Sequence, residues 1–160
     1  MFWLIALCVV IPFAYVLMFG APYLPTRKRQ VNQALDLLNL KKGELLVDLG
    51  SGDGAVLVEA AKRGIRCIGY ELNPLVFSIS YIRVWKYRKL VTLRLRNFWN
   101  VPIPKEAKAV FVFLLDKYMV KLDRKLETEL SKGTKVVSYT FEIPARKPVK
   151  VSGALIVYQY

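Results

Sequence analysis

Histidine is absent from all 160 residues, and cysteine occurs only twice, as Cys8 and Cys67. No imidazole is therefore available to ligate zinc or to carry a proton, and two cysteines so placed make neither a disulfide framework nor a metal site. Acidic residues are scarce as well: 12 Asp and Glu stand against 25 Lys and Arg, a formal net charge of +13. Charge of either sign is missing from Phe2 to Gly20. No internal repeat or low-complexity tract divides the chain, and its length suits a single core.

The charge-free run comes with an excess of apolar residues, 21 of the first 25. As a helix its 19 residues would extend about 28 Å, close to the hydrocarbon thickness of a bilayer. Trp3 and Tyr23 lie near its two edges, where amphipathic rings favour the interface, and Pro12 would kink such a helix without forbidding it in lipid. A cleaved signal peptide calls for a basic start and a small-x-small cleavage site, and neither is present. The expectation is one transmembrane helix within residues 1–25 and a catalytic domain over residues 26–160. Arg27, Lys28 and Arg29 follow the run and no basic residue precedes it, so the domain is expected to face the cytoplasm.

Further basic groups occur at Lys41 and Lys42, Arg83 to Lys89, and Lys117 to Lys125. On a tethered domain each basic residue near an anionic leaflet contributes about 1 kcal/mol of attraction. Nucleic acid is the competing partner for such a charge, but no RNA or DNA motif and no array of stacking aromatics accompanies it. The bilayer is therefore the partner that charge and the apolar run lead one to expect, with no metal.

The densest information lies in Leu46-Val47-Asp48-Leu49-Gly50-Ser51-Gly52-Asp53-Gly54 and Ile68-Gly69-Tyr70-Glu71-Leu72-Asn73-Pro74. A short apolar strand runs into a glycine-rich turn, and helical periodicity begins at Ala55. Gly50, Gly52 and Gly54 can take positive φ and admit a ligand close to the backbone, with the amides at the helix start facing it. Glu71, at the end of the next strand, is placed to accept both hydroxyls of a ribose. No lysine followed by Ser or Thr closes the loop, which excludes a nucleoside-triphosphate loop.

Gly50-x-Gly52-x-x-Ala55 satisfies a dinucleotide fingerprint, and Gly50-x-Gly52-x-Gly54 fits equally well. Asp48, two residues before the first glycine, separates them: it suits an amino-acid ammonium group and would repel a pyrophosphate. S-adenosyl-L-methionine carries such a group and NAD does not.

Strands are expected at Leu45 to Leu49, Arg66 to Glu71, Val91 to Arg96, Ala109 to Leu114 and Thr134 to Tyr139, with helices between them and one ahead, Gln30 to Leu40. Alternation of this kind makes an α/β, doubly wound and mostly parallel sheet. A C-terminal hairpin, Val149 to Val151 and Ala154 to Tyr158 across a Ser152-Gly153 turn, would close it.

These two blocks, together with Ala21-Pro22-Tyr23-Leu24-Pro25-Thr26 and Val137-Ser138-Tyr139-Thr140-Phe141-Glu142-Ile143-Pro144, resemble the small membrane-anchored lysine methyltransferases. That family includes the ATP synthase c-subunit and adenine nucleotide translocase lysine methyltransferases, with shorter prokaryotic relatives. The resemblance covers essentially the whole chain. It implies a Rossmann-like class I methyltransferase fold, S-adenosyl-L-methionine as cofactor and N-methylation of lysine in a membrane protein. A lipid head group or small amine as acceptor, or a basic binding module without catalysis, are the alternatives.

The candidate cofactor residues are Asp48, Gly50, Ser51, Gly52, Asp53, Gly54, Glu71 and Asn73. Asn97 stands where related enzymes often have an acid that meets the adenine amino group, and its carbonyl can accept the same bond. Phe98 beside it lines the cofactor or belongs to the core, and Trp99 reads as a core or lid aromatic. The resemblance adds Tyr23 and Thr26, a segment that in distantly similar histone methyltransferases closes over the cofactor; a linker packed on the sheet edge is the other reading. Asp116 and Tyr118 are placed where class I enzymes put substrate-facing groups. The family more often has proline at the first of these, so Asp116 is expected to cap a helix.

Overall fold

The computed structural model describes Trp3, residues 28–144 and residues 146–160. Apart from Trp3, the expected membrane span lies outside the described residues, as do Tyr23 and Thr26. Among the described residues no helix is long and apolar enough to cross a membrane.

Strand β1 (Leu45–Leu49) is buried at all five positions, as a central strand covered on both faces must be. The chain before it forms α1 (Lys28–Leu38), and after it come α2 (Ala55–Lys62), β2 (Arg66–Glu71), α3 (Pro74–Val84) and β3 (Val91–Leu95). The second half runs β4 (Ala107–Val112), α4 (Met119–Glu129), β5 (Lys135–Tyr139), β6 (Lys150–Ser152) and β7 (Leu155–Gln159). The sheet order is β3-β2-β1-β4-β5-β7-β6, with β7 antiparallel to both its neighbours and the other pairs parallel. The chain reverses direction across the sheet between β1 and β4. Ligands of open α/β sheets bind at the carboxyl ends of the strands beside such a switch point.

Two apolar layers sandwich the sheet. Val31, Ala34, Leu35 and Leu38 of α1 and Leu57 and Ala60 of α2 pack with Leu46, Phe111 and Val137. Met119, Leu122 and Leu126 of α4 pack on the other face with Val47, Val110 and Val136. Each large side chain so buried stabilises the fold by about 1.5–3 kcal/mol relative to exposure.

Several boundaries differ from the sequence reading. The first helix stops at Leu38 because Asn39 turns left-handed (φ 50°) and its amide bonds the Leu35 carbonyl, an ending asparagine tolerates. Strand β4 starts at Ala107 and ends at Val112, two residues early at each end: a register shift between Leu45 and Leu46 lets it begin opposite Leu45, and its pairing stops where β1 stops, with Val112 opposite Leu49. The hairpin turn is Gly153-Ala154 rather than Ser152-Gly153. Gly153 supplies the positive φ (59°) at the first turn position, which leaves Ser152 in the strand opposite Leu155.

A helix is replaced by a strap between β5 and β6, held by side chains. The Ile143 amide donates to the Tyr158 hydroxyl (2.9 Å), and Ser138 Oγ donates to the Phe141 carbonyl (2.6 Å). Asp123 Oδ1 on α4 accepts from Arg146 Nε (2.9 Å) and from the Tyr160 hydroxyl (2.6 Å), while the Arg146 guanidinium lies 3.9 Å over the Tyr160 ring.

Candidate cofactor site

The loop after β1 is shaped by its glycines and closed by hydrogen bonds to the end of β2. Gly50 (φ 95°) and Gly52 (φ 54°) are left-handed, and a Cβ on Gly50 would meet nothing within 4 Å. The space beside Gly50 is open to a ligand. Gly54 (φ 79°) serves packing instead, since a Cβ there would lie 2.5 Å from Ser80 Oγ and 3.1 Å from Val84 of α3. The amides of Gly50 and Ser51 donate to the Tyr70 carbonyl (3.0 and 2.8 Å), which draws the loop against β2.

Glu71 is more committed to the protein than its sequence position implied. Its Oε2 accepts from the Gly52 amide (2.8 Å), and its Oε1 accepts from the amides of Leu72 (2.8 Å) and Asn73 (2.7 Å). A carboxylate has about four acceptor positions, so about one is left for a ribose hydroxyl. Burial raises its pKa, opposed by these three amides. Asn73 caps α3, with Oδ1 accepting from Leu75 (2.9 Å) and Val76 (3.4 Å). Asp53 divides its carboxylate between the Ala55 amide at the start of α2 (3.2 Å) and the Arg83 guanidinium.

Asp48 stands apart. It is 2% exposed, and among the described residues its carboxylate accepts no hydrogen bond and forms no ion pair. Burial, then the like charges of Glu71 and Asp53, push its carboxyl well above the usual carboxylate range. Burial, and after it the Asp48 charge, also push the Cys67 thiol up to about 12, so Cys67 is inert as a nucleophile. Ser51 Oγ is likewise buried without a partner among the described residues. A buried carboxylate that the fold leaves unpaired is costly unless something cationic joins it. S-adenosyl-L-methionine fits these residues: its ammonium would meet Asp48 and its ribose Glu71, and a Cβ on Gly50 would meet nothing that blocks the approach.

The remaining expected residues divide. Asn97 Oδ1 accepts from the Trp99 amide (3.0 Å) and so caps the short 3-10 turn Phe98–Asn100, keeping one lone pair. Phe98 lies in the core layer with α4, its ring 4.6 Å from that of Trp99. Tyr118 packs on the same face, 6.2 Å from the Trp99 ring. Asp116 is exposed and caps no helix: the residue at the cap of the 3-10 turn Asp116–Tyr118 is Leu115, that at the cap of α4 is Tyr118, and neither makes a side-chain capping bond. Two consecutive turns of different pitch push the start of α4 past the reach of the Asp116 side chain. A groove of about 360 Å³ between α1, α2 and α3 is lined by Asp53 and Arg83 but by neither Asp48 nor Glu71.

Three residues near the crevice were missed. Val112 pairs with Leu49 and with Ser138, so Gly50 and Phe113, each one residue past its strand, stand beside Tyr139, the last residue of β5. They share the sheet face of Asp48, since Phe113 and Tyr139 follow Phe111 and Val137 by two. The two rings meet edge to face at 4.7 Å. Thr140 next to them has φ 79°, an outlier for a β-branched residue and a site of local strain. The only sequence signal was the resemblance of the Val137 to Pro144 block, which takes in Tyr139 and Thr140 but not Phe113.

Comparison with known proteins agrees with this geometry. Residues 48–150 match the ANTKMT methyltransferase domain. The chain is 32% identical over 134 residues to the ATP synthase c-subunit lysine N-methyltransferase of Homo sapiens; the match takes in 82% of this chain and 57% of that protein. It is 34% identical to a protein-lysine N-methyltransferase of Saccharolobus islandicus (strain REY15A), covering 81% of this chain and 83% of the relative. Among solved structures, an RNA methyltransferase from Salinibacter ruber in complex with S-adenosyl-L-homocysteine superposes with a TM-score of 0.78 at 30% identity, covering 86% of this chain and 92% of that one. The chain thus spans less than two thirds of the human relative's length and most of the archaeal one's.

Proposed function

This chain belongs to the ANTKMT methyltransferase domain family, and on that premise we propose that it is an S-adenosyl-L-methionine-dependent enzyme that N-methylates lysine in a membrane protein. The observation that carries the reading is Asp48, a buried carboxylate without a partner among the described residues, beside a glycine loop open at Gly50. When bound, S-adenosyl-L-methionine supplies a methyl group on a sulfonium, already activated for transfer to a neutral amine.

The residues of the chain have modest work to do. Asp48 holds the ammonium of the cofactor, Glu71 takes a ribose hydroxyl while pinning the Gly52 amide, and Asn97 offers its free lone pair to the adenine. Phe113 and Tyr139 supply apolar walls where the target amine enters. A lysine with a reference pKa near 10.4 must be neutral to react, and exclusion of water there lowers its pKa. No general base is required once the amine arrives unprotonated.

Residues 1–25 are proposed as a single-pass anchor and residues 26–160 as the methyltransferase domain on the cytoplasmic side. The uncharged Phe2 to Gly20 run and the following Arg27, Lys28 and Arg29 support this. Confining enzyme and target to one surface raises their effective concentration without demanding intrinsic affinity. RNA methylation is the second reading, favoured by the +13 charge and by what the Salinibacter ruber protein is said to be. The archaeal relative, matched over most of its length, favours lysine.

Full-length protein incubated with labelled cofactor and with membranes and RNA from a strain lacking it distinguishes these readings. Label on a lysine ε-amine of a membrane protein is expected. Label confined to RNA or to lipid head groups would overturn the assignment.

A further inference from the structure

Helix α3 is apolar on the side that packs and on the side that does not. Ser80 and Val84 face the fold, whereas Leu75, Ile79 and Ile82 form an outward stripe, at 50%, 55% and 76% exposure. A helix apolar all round is covered all round. Trp85 and Tyr81 flank this stripe, half exposed, their rings 5.5 Å apart. The helix then runs into Lys86, Arg88 and Lys89, with Arg88 over the Trp85 ring at 5.0 Å.

Charge identifies what covers the stripe. From Pro74 to Arg96 the chain carries six basic residues and no Asp or Glu, and the last two, Arg94 and Arg96, lie at the exposed edge strand β3. Aliphatic side chains between indole and phenol rings, with cations at one end and no acid in their own segment, Asp53 of the glycine loop being paired with Arg83, match the interface of an anionic bilayer. A protein groove would more often offer acids to such a rim. We propose that the outward face of α3, with Trp85 and Lys86 to Lys89, lies in the headgroup region of an anionic membrane. Since Asn73 caps the start of α3, this contact would bring the mouth of the cofactor crevice to the membrane surface. The contact is independent of the N-terminal run and of the identity of the methyl acceptor.

The test uses the full chain with Trp3→Phe and Trp99→Phe, so that Trp85 alone emits, mixed with phosphatidylcholine vesicles that contain or lack phosphatidylglycerol. Acyl chains brominated near the headgroup should quench Trp85 when the anionic lipid is present and little without it. Reversing Lys86 and Lys89 to Glu should reduce the docked fraction by about fivefold per residue neutralised or more. Ile79→Asp with Ile82→Asp should abolish quenching while cofactor binding, measured in the same sample, persists. A photo-crosslinker in place of Ile82 in the otherwise natural chain gives a second reading and should label lipid. Trp85 that is never quenched, quenching indifferent to lipid charge, or crosslinks only to protein, whether another polypeptide or the chain's own N-terminal segment, would each overturn the proposal.

Discussion

Two acids in this protein, one half-buried and one buried, have opposite surroundings. Asp123 on α4 is wrapped by Arg146 and Tyr160, which close the strap over one face of the sheet. Asp48, at the end of the central strand, is more deeply buried and has no partner among the described residues. The first carboxylate is spent on holding the chain together. The second has no partner among the described residues, and its neighbours Glu71 and Asp53 add like-charge repulsion. On the proposed function, the second carboxylate is the group that receives the cofactor's ammonium, and the comparison sets a binding role against a structural one within one small domain.

The largest expected break is at Asp48. Asp48→Asn should weaken S-adenosyl-L-homocysteine by about 3 kcal/mol, over a hundredfold, because the ligand's ammonium would be buried without a counter-charge. The same change should leave the free protein as stable or more so at neutral pH. A folded-state pKa above the unfolded value means the folded protein prefers the proton, so stability falls as pH rises through that window, and Asn removes the penalty. Calorimetry and thermal unfolding read the two effects in one preparation. A lower midpoint would mean that Asp48 has a structural partner.

Asp123→Ala should show the reverse. Leaving Arg146 and the Tyr160 hydroxyl without their acceptor should cost about 2–3 kcal/mol of stability, with cofactor affinity unchanged in the folded protein. Chemical denaturation with and without ligand measures both. Glu71 lies between the extremes, since it both pins the loop and faces the crevice. Glu71→Gln turns one acceptor into a donor against the Leu72 and Asn73 amides or the Gly52 amide, and should weaken binding by about 1–2 kcal/mol with a small loss of stability.

The smallest effect is in the pH dependence. Affinity should decline on acidification through the raised Asp48 pKa, because protonated Asp48 no longer attracts an ammonium, and binding in that range should release a proton. Titrations in buffers of different ionisation enthalpy count that proton. In Asp48→Asn this proton release and the acid limb should be missing.

The two regions also differ in how much of them the sequence displays. Strands β1 and β2 matched their expected limits because a buried apolar run that stops at glycine or at a carboxylate has unambiguous ends. The binding role proposed for Asp48 follows from its place two residues before Gly50, a local relation. The clasp was invisible, since its partners lie 23 and 37 residues from Asp123 and only the tertiary path brings them together. Local capping of the 3-10 turn by Asn97 and the bracing of three amides by Glu71 needed backbone geometry that no spacing contains. Helix α3 hid its outward face for a different reason: apolar residues on every side leave no period to read.

The most direct test of the role proposed for Asp48 compares two ligands that differ in the amino-acid end, ammonium included. S-adenosyl-L-homocysteine carries the amino-acid ammonium, and 5′-methylthioadenosine keeps the adenosine and sulfur but lacks it. Calorimetric titration of the full chain should show a preference of about 3 kcal/mol or more for the former, and Asp48→Asn should cut that preference by about 3 kcal/mol while leaving methylthioadenosine affinity unchanged. If Asp48→Asn weakened both ligands equally, or neither, Asp48 would not be the group that receives the ammonium.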